Sequence, residues 1–202
     1  SVAAAAGKNL KKSLLELGGS DPFIVLADAD LPLAASTAVK ARMLNFGQSC
    51  IAAKRFIIEE AVYDAFVDLF LQELKKLKPD LAAELYQQVC ETVALGARVL
   101  TGGMAPETGS ARFEPTVLEN IPKGSPAYSE ELFGPVASLF KVASAKEAIA
   151  LANATEYGLG ASIWTANLTR GAELATYLES GAVFINSLVA SHPMLPFGGI
   201  KK

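Results

Sequence analysis

The stretch Val136-Ala-Ser-Leu-Phe-Lys-Val142 is largely apolar, and Ser144-Ala-Lys-Glu147 follows after a single residue. A short run that does not alternate strictly between apolar and polar is the pattern of a strand covered on both faces. Ser144 with Glu147 three positions later has capping-box form, which predicts a helix from there through about Asn153. Strand and helix in immediate succession set the theme, and the neighbouring sequence repeats it. Downstream come a strand at Ala161–Trp164, a helix at Asn167–Leu178 and a strand at Ala182–Ile185.

Upstream, Phe23–Leu26 reads as a strand, and Asp30 as the N-cap of a helix with Pro32 in its first turn. That helix is expected to run to about Phe46, where Gly47 stops it. Arg55–Ile58 is the next strand. Val62, Phe66, Phe70, Leu74 and Leu77 recur every three or four residues, as on a helix packed against a sheet, and Pro79 ends the run. Leu81–Leu95 is a further helix with Leu85, Val89 and Val93 on its inner face, and Gly96 follows it. Arg98–Leu100 and Pro115–Leu118 read as strands around the loop Gly102–Arg112. The alternation predicts an α/β fold of three layers, αβα, with a mostly parallel sheet, formed as a single domain over residues 1–202.

Composition fits this reading. Of 202 residues, 51% are hydrophobic and 19% charged, which excludes a disordered chain. Mean hydropathy is +0.30, high enough to point to a face that something else covers. A net charge of -3 gives no basic footprint for nucleic acid. No apolar run approaches the roughly 20 residues a membrane span needs. Two cysteines and one histidine exclude a disulfide scaffold and a Cys/His zinc site, so no metal is expected, and the cysteine usage points to the cytoplasm. The chain opens at Ser1 without a methionine, as a trimmed or processed chain does.

Three residues invite chemistry. Cys50 sits among small neighbours in Asn45-Phe-Gly-Gln-Ser-Cys-Ile-Ala-Ala53, where a substrate carbon has room to approach. A free cysteine is more often a buried structural residue, and Cys90, on the apolar side of a helix, is expected to be one. Cys50 is therefore the thiol expected to react first. Glu16 stands between Leu15 and Leu17; burial there would push its pKa up toward that of a general base, whereas an ion pair with Lys11 or Lys12, or simple exposure, would leave it ordinary. Glu131 alone is an acidic loop residue. His192, the one histidine, has no local support as a partner for Cys50. No glycine-rich dinucleotide fingerprint follows a predicted strand.

Taken together, Leu15-Glu-Leu-Gly-Gly19, Asn45-Phe-Gly-Gln-Ser-Cys50, Glu131-Leu-Phe-Gly-Pro135 and Pro196-Phe-Gly-Gly199 resemble the aldehyde dehydrogenase superfamily, in the family's order and across nearly the whole chain. Asn186-Ser-Leu-Val-Ala-Ser191 leading to Pro196-Phe-Gly-Gly-Ile-Lys-Lys202 is most similar to its succinate-semialdehyde dehydrogenase branch. The resemblance implies an NAD or NADP enzyme that oxidises a small aldehyde to the acid. Cys50 would attack the aldehyde, and Glu16 would activate the water that opens the thioester. Glu131 would hold the nicotinamide ribose, Phe133 would pack beside it, and the Leu17 carbonyl would take the carboxamide. The Cys50 backbone N–H would be one oxyanion donor.

The sequence also departs from the family's pattern. A dinucleotide-binding domain that precedes this region in the family, and the C-terminal oligomerisation segment, are expected to be absent, so cofactor binding by this chain alone is expected to be weak. A homo-oligomer is implied for the full-length family. Ser20 stands where many members have lysine, which leaves open what charge lies near Glu16. Two other readings share the fold: a catalytically silent module, and a weak thiol esterase using Cys50 without a cofactor.

Overall fold

Strand β1 (Pro22–Val25) lies in the interior of the sheet, and its residues divide between two cores. Phe23 and Val25 face one side with helices α2 (Leu31–Met43) and α3 (Tyr63–Leu74), whereas Ile24 faces the other with α6 (Ala145–Asn153). Neighbouring β2 (Arg55–Glu59) repeats the division, with Phe56 and Ile58 on the first side and Ile57 on the second. The period-two alternation of a strand buried on both faces thus builds a three-layer αβα arrangement.

The computed structural model describes residues 1–13, 15–76, 83–105 and 113–201. Among them seven strands form one sheet, completed by β3 (Arg98–Thr101), β4 (Thr116–Glu119), β5 (Val136–Val142), β6 (Gly160–Trp164) and β7 (Ala182–Ile185). Their order is β3-β4-β5-β2-β1-β6-β7, and every neighbouring pair is parallel except β3 with β4. Trp164, Phe23, Phe56 and Phe70 form a continuous row of rings with successive centroids 5.3, 5.4 and 5.3 Å apart. All four are buried, and each contributes roughly 1.5–3 kcal/mol by leaving water, which fastens β6, β1, β2 and α3 together. A third core under β4 and β5 joins Leu85 and Val89 of α4 (Ala83–Ala94) to Leu118, Leu132 and Val136. The remaining helices are α1 (Val2–Lys8), which buries no residue, the short α5 (Pro126–Ser129), and α7 (Leu168–Ala175). No helix among the described residues is long and apolar enough to cross a membrane.

The capping signals work as read. Asp30 accepts from the Leu33 N–H and Ser144 from Glu147; Asn167, expected only as the start of a helix, caps α7 in the same way by accepting from Arg170. Three expectations are corrected. Helix α2 stops at Met43, because Asn45 and Phe46 take left-handed conformations, φ 51° and 57°, which a right-handed helix cannot contain. The inner face of α4 carries Thr92 and not Val93: Thr92 is buried and accepts from the Ala127 N–H, while Val93 is exposed. Cys90 is exposed, since one residue beyond inward-facing Val89 is a turn of about 100° around the helix. Leu77, Pro79 and Leu81 lie outside the described residues, as does part of the loop Gly102–Arg112.

Candidate active site at the amino ends of the strands

Glu16 precedes β1, Cys50 precedes β2 and Glu131 precedes β5, so all three arrive at the amino ends of adjacent parallel strands. Their loops interlock through glycines. A Cβ on Gly18 would lie 2.5 Å from Glu131 Oε2, and one on Gly19 would lie 2.5 Å from the Cys50 carbonyl. One on Gly47 would lie 2.3 Å from the Gly134 carbonyl, and Gly47 also has φ 77°. At Gly19 and Gly47 only glycine lets the backbones approach so closely, whereas Gly18 makes room for the Glu131 side chain.

Cys50 lies in a turn closed by the Ala52 N–H donating to the Ser49 carbonyl. Its thiol donates to Glu16 Oε1 at 2.8 Å. The two residues that the resemblance paired are therefore in direct contact. The setting of Glu16 differs from the buried one considered above: the carboxylate is exposed, and Leu15 and Leu17 are 43% and 52% exposed. Partial burial, the hydrogen bond to Glu16 and the charge of Glu16 push the Cys50 thiol up to about 11, while Lys54 pulls the other way.

Lys54 was not singled out in the sequence, and it is fully buried. Its Nζ donates to the Ser49 carbonyl at 2.8 Å and the Cys50 carbonyl at 2.9 Å, and pairs with Glu131 Oε1 at 3.0 Å. The ring centroid of Phe133 is 6.0 Å from the same nitrogen, at the outer limit of cation–π attraction. Burial, and then the nearby Arg42, lower Lys54 to about 8. Arg42 and Asp21 are equally buried. Arg42 donates to the Gly47 carbonyl at 2.7 Å, and burial lowers it to about 9. Asp21 accepts from the Gly160 N–H at 3.0 Å, and burial raises it to about 7. Arg55 braces the floor, donating to the carbonyls of Ser20, Leu151 and Ala152. The only sequence sign of this cluster was Lys54-Arg55 at the head of an apolar strand. His192 is engaged in its own turn, where its Nδ1 accepts from the Met194 N–H.

The sequence profile of the aldehyde dehydrogenase family matches residues 1–202. This chain belongs to the aldehyde dehydrogenase family. It is 46% identical to a probable NADP(+) succinate-semialdehyde dehydrogenase of Synechocystis sp., a match over 100% of this chain and 48% of that protein. It is also 46% identical to an NADP(+) succinate-semialdehyde dehydrogenase of Mycolicibacterium paratuberculosis, covering 46% of it. The crystal structure of succinic semialdehyde dehydrogenase from Streptococcus pyogenes, in complex with NADP+, superimposes with TM-score 0.91 at 38% identity, over 99% of this chain and 48% of that one. The chain thus spans about half the length of the aldehyde dehydrogenases it matches. Where many aldehyde dehydrogenases have lysine, buried Ser20 offers its carbonyl to Arg55, and the positive charge near Cys50 comes from Lys54.

Proposed function

We propose that this chain carries the nucleophile, the water-activating base and the nicotinamide end of the cofactor site of an NAD(P)-dependent aldehyde dehydrogenase. Succinic semialdehyde is the first substrate to test, since the relatives named above bear that name. The observation that carries the reading is the 2.8 Å contact between the Cys50 thiol and the Glu16 carboxylate.

The Cys50 thiolate, its proton released to solvent, attacks the aldehyde carbon, and the Cys50 backbone N–H is the oxyanion donor. Oxidation of the resulting thiohemiacetal needs a hydride acceptor, which is the chemistry a nicotinamide supplies when bound. Glu16, open to solvent, deprotonates the water that opens the thioester and passes that proton to the departing sulfur, releasing the acid and the free thiol. The residues present fit the nicotinamide end. Glu131 is partly open, Leu17 and Phe133 offer exposed apolar surface beside it, and Gly18 leaves the room a side chain would take. Contacts at that end alone hold a dinucleotide weakly, so partnership with a cofactor-binding domain and assembly into a homo-oligomer belong to the same proposal.

The test is acylation by an activated acetyl ester followed by peptide mapping. An acetyl group on Cys50, and its loss in Cys50→Ala, are expected. Equal burst acylation in Cys50→Ala would overturn the reading.

A further inference from the structure

Lys54 is a buried cation with a specific set of partners, and nothing in the proposed chemistry uses it. Two of its hydrogen bonds fix the peptide carbonyls on either side of the Ser49–Cys50 junction, and its ion pair fixes Glu131. Two of the ammonium's three protons go to these carbonyls, and its remaining partner is the Glu131 carboxylate, held as an ion pair. The charged groups around it come from every neighbouring element: Arg42 from α2, Asp21 from the approach to β1, Glu131 from the approach to β5, and Glu16 beyond Cys50. Glu16 disfavours a thiolate, and Cys50 lies in a turn and not at a helix N-terminus, the usual alternative support. Arg42 is nearby but directs its hydrogen bond at Gly47.

We propose that Lys54 is a positioning residue that governs the reactivity of Cys50, by clamping the Ser49–Cys50 backbone to Glu131 and placing its charge beside the sulfur. The proposal rests on Cys50 being the nucleophile. Glu131 helps keep the lysine charged, and removing the lysine leaves the Glu16 carboxylate unopposed at the thiol.

The test follows alkylation of Cys50 by iodoacetamide against pH, in a Cys90→Ser background, with far-UV circular dichroism as the check of folding. Lys54→Met is expected to slow labelling about tenfold at pH 7, where the ammonium is charged, and to match the unsubstituted chain well above pH 8, where the lysine is already neutral. Lys54→Arg, whose charge does not titrate in this range, should keep the rate at pH 7 and exceed the unsubstituted chain above pH 8. A folded Lys54→Met with an unaltered rate at pH 7 overturns the proposal. If Lys54→Met does not fold, Lys54→Arg decides, and a rate above pH 8 no higher than that of the unsubstituted chain is equally fatal. A purely structural lysine would leave the pH profile of a folded variant in place. Failure of the nucleophile reading shows instead in the acetyl-ester mapping with Lys54 intact.

Discussion

Cys50 and Glu16 stand 34 positions apart in the chain and touch through a 2.8 Å hydrogen bond from thiol to carboxylate. This contact gives Glu16→Gln a split effect. Without the carboxylate the thiol ionises more readily, so the acylation burst with an activated ester should persist or quicken at pH 8. Turnover of the acyl-enzyme should slow by about 10²-fold, the lower end for loss of a general base, since Glu16 is exposed to water. Stopped-flow release of the ester's leaving group reads both phases. A lost burst with an unchanged steady rate would assign Glu16 to the thiol alone.

Cys90 is expected to be alkylated before Cys50 at neutral pH, the reverse of the order expected from the sequence. Cys90 is exposed, whereas Cys50 is partly buried and its thiol is pushed up to about 11. Peptide mapping after brief treatment with iodoacetamide checks the order, and Cys50 labelled first would show that the thiolate is better supported than its surroundings imply.

Asp21 should make stability fall with rising pH. Burial holds its carboxyl at about 7, against 3.8 in the unfolded chain, so the folded state binds the proton more tightly. The stability this brings is whole below pH 3.8 and is lost as pH rises through about 7. Asp21→Asn keeps an oxygen for the Gly160 N–H and removes the titration. Between pH 5 and pH 8 the unsubstituted chain should lose roughly 2–4 kcal/mol relative to Asp21→Asn, measured by urea unfolding. Parallel pH profiles would contradict this.

Gly47→Ala and Gly124→Ala separate backbone strain from collision. Both glycines have positive φ, 77° and 87°, but a Cβ at Gly124 meets nothing within 4 Å. Gly124→Ala should cost about 1 kcal/mol, and Gly47→Ala about 2 kcal/mol more, because the Gly134 carbonyl must move. Equal urea midpoints for the two variants would mean that the two loops separate freely.

The sheet was legible because a strand buried on both faces and a helix packed on one leave different periods, and Asp30, Ser144 and Asn167 mark where helices start. Fine rotation was not: Leu85 and Val89 are compatible with either Thr92 or Val93 as the next inward residue, and only the packing of α5 against Thr92 decides. Glu16 and Cys50 were legible as a pair only through the family resemblance, since nothing local joins residues so far apart. Of the settings open to Glu16, exposure is the one that holds, because the flanking Leu15 and Leu17 are themselves half exposed. Lys54 escaped notice because two of its three partners are peptide carbonyls, which every residue has and no sequence pattern marks.

The glycine contacts between the three loops bear on how such sites can be rebuilt. Gly18 fits against the Glu131 side chain, and Gly19 and Gly47 against the backbones of Cys50 and Gly134, so each loop is shaped by another. A chimera that imports one loop from a relative, to change substrate preference, inherits a surface moulded to loops it left behind. Grafts of all three loops together should express and fold where single-loop grafts of equal sequence distance do not. Recombination within this fold then has a natural unit of exchange, made of three segments far apart in the chain.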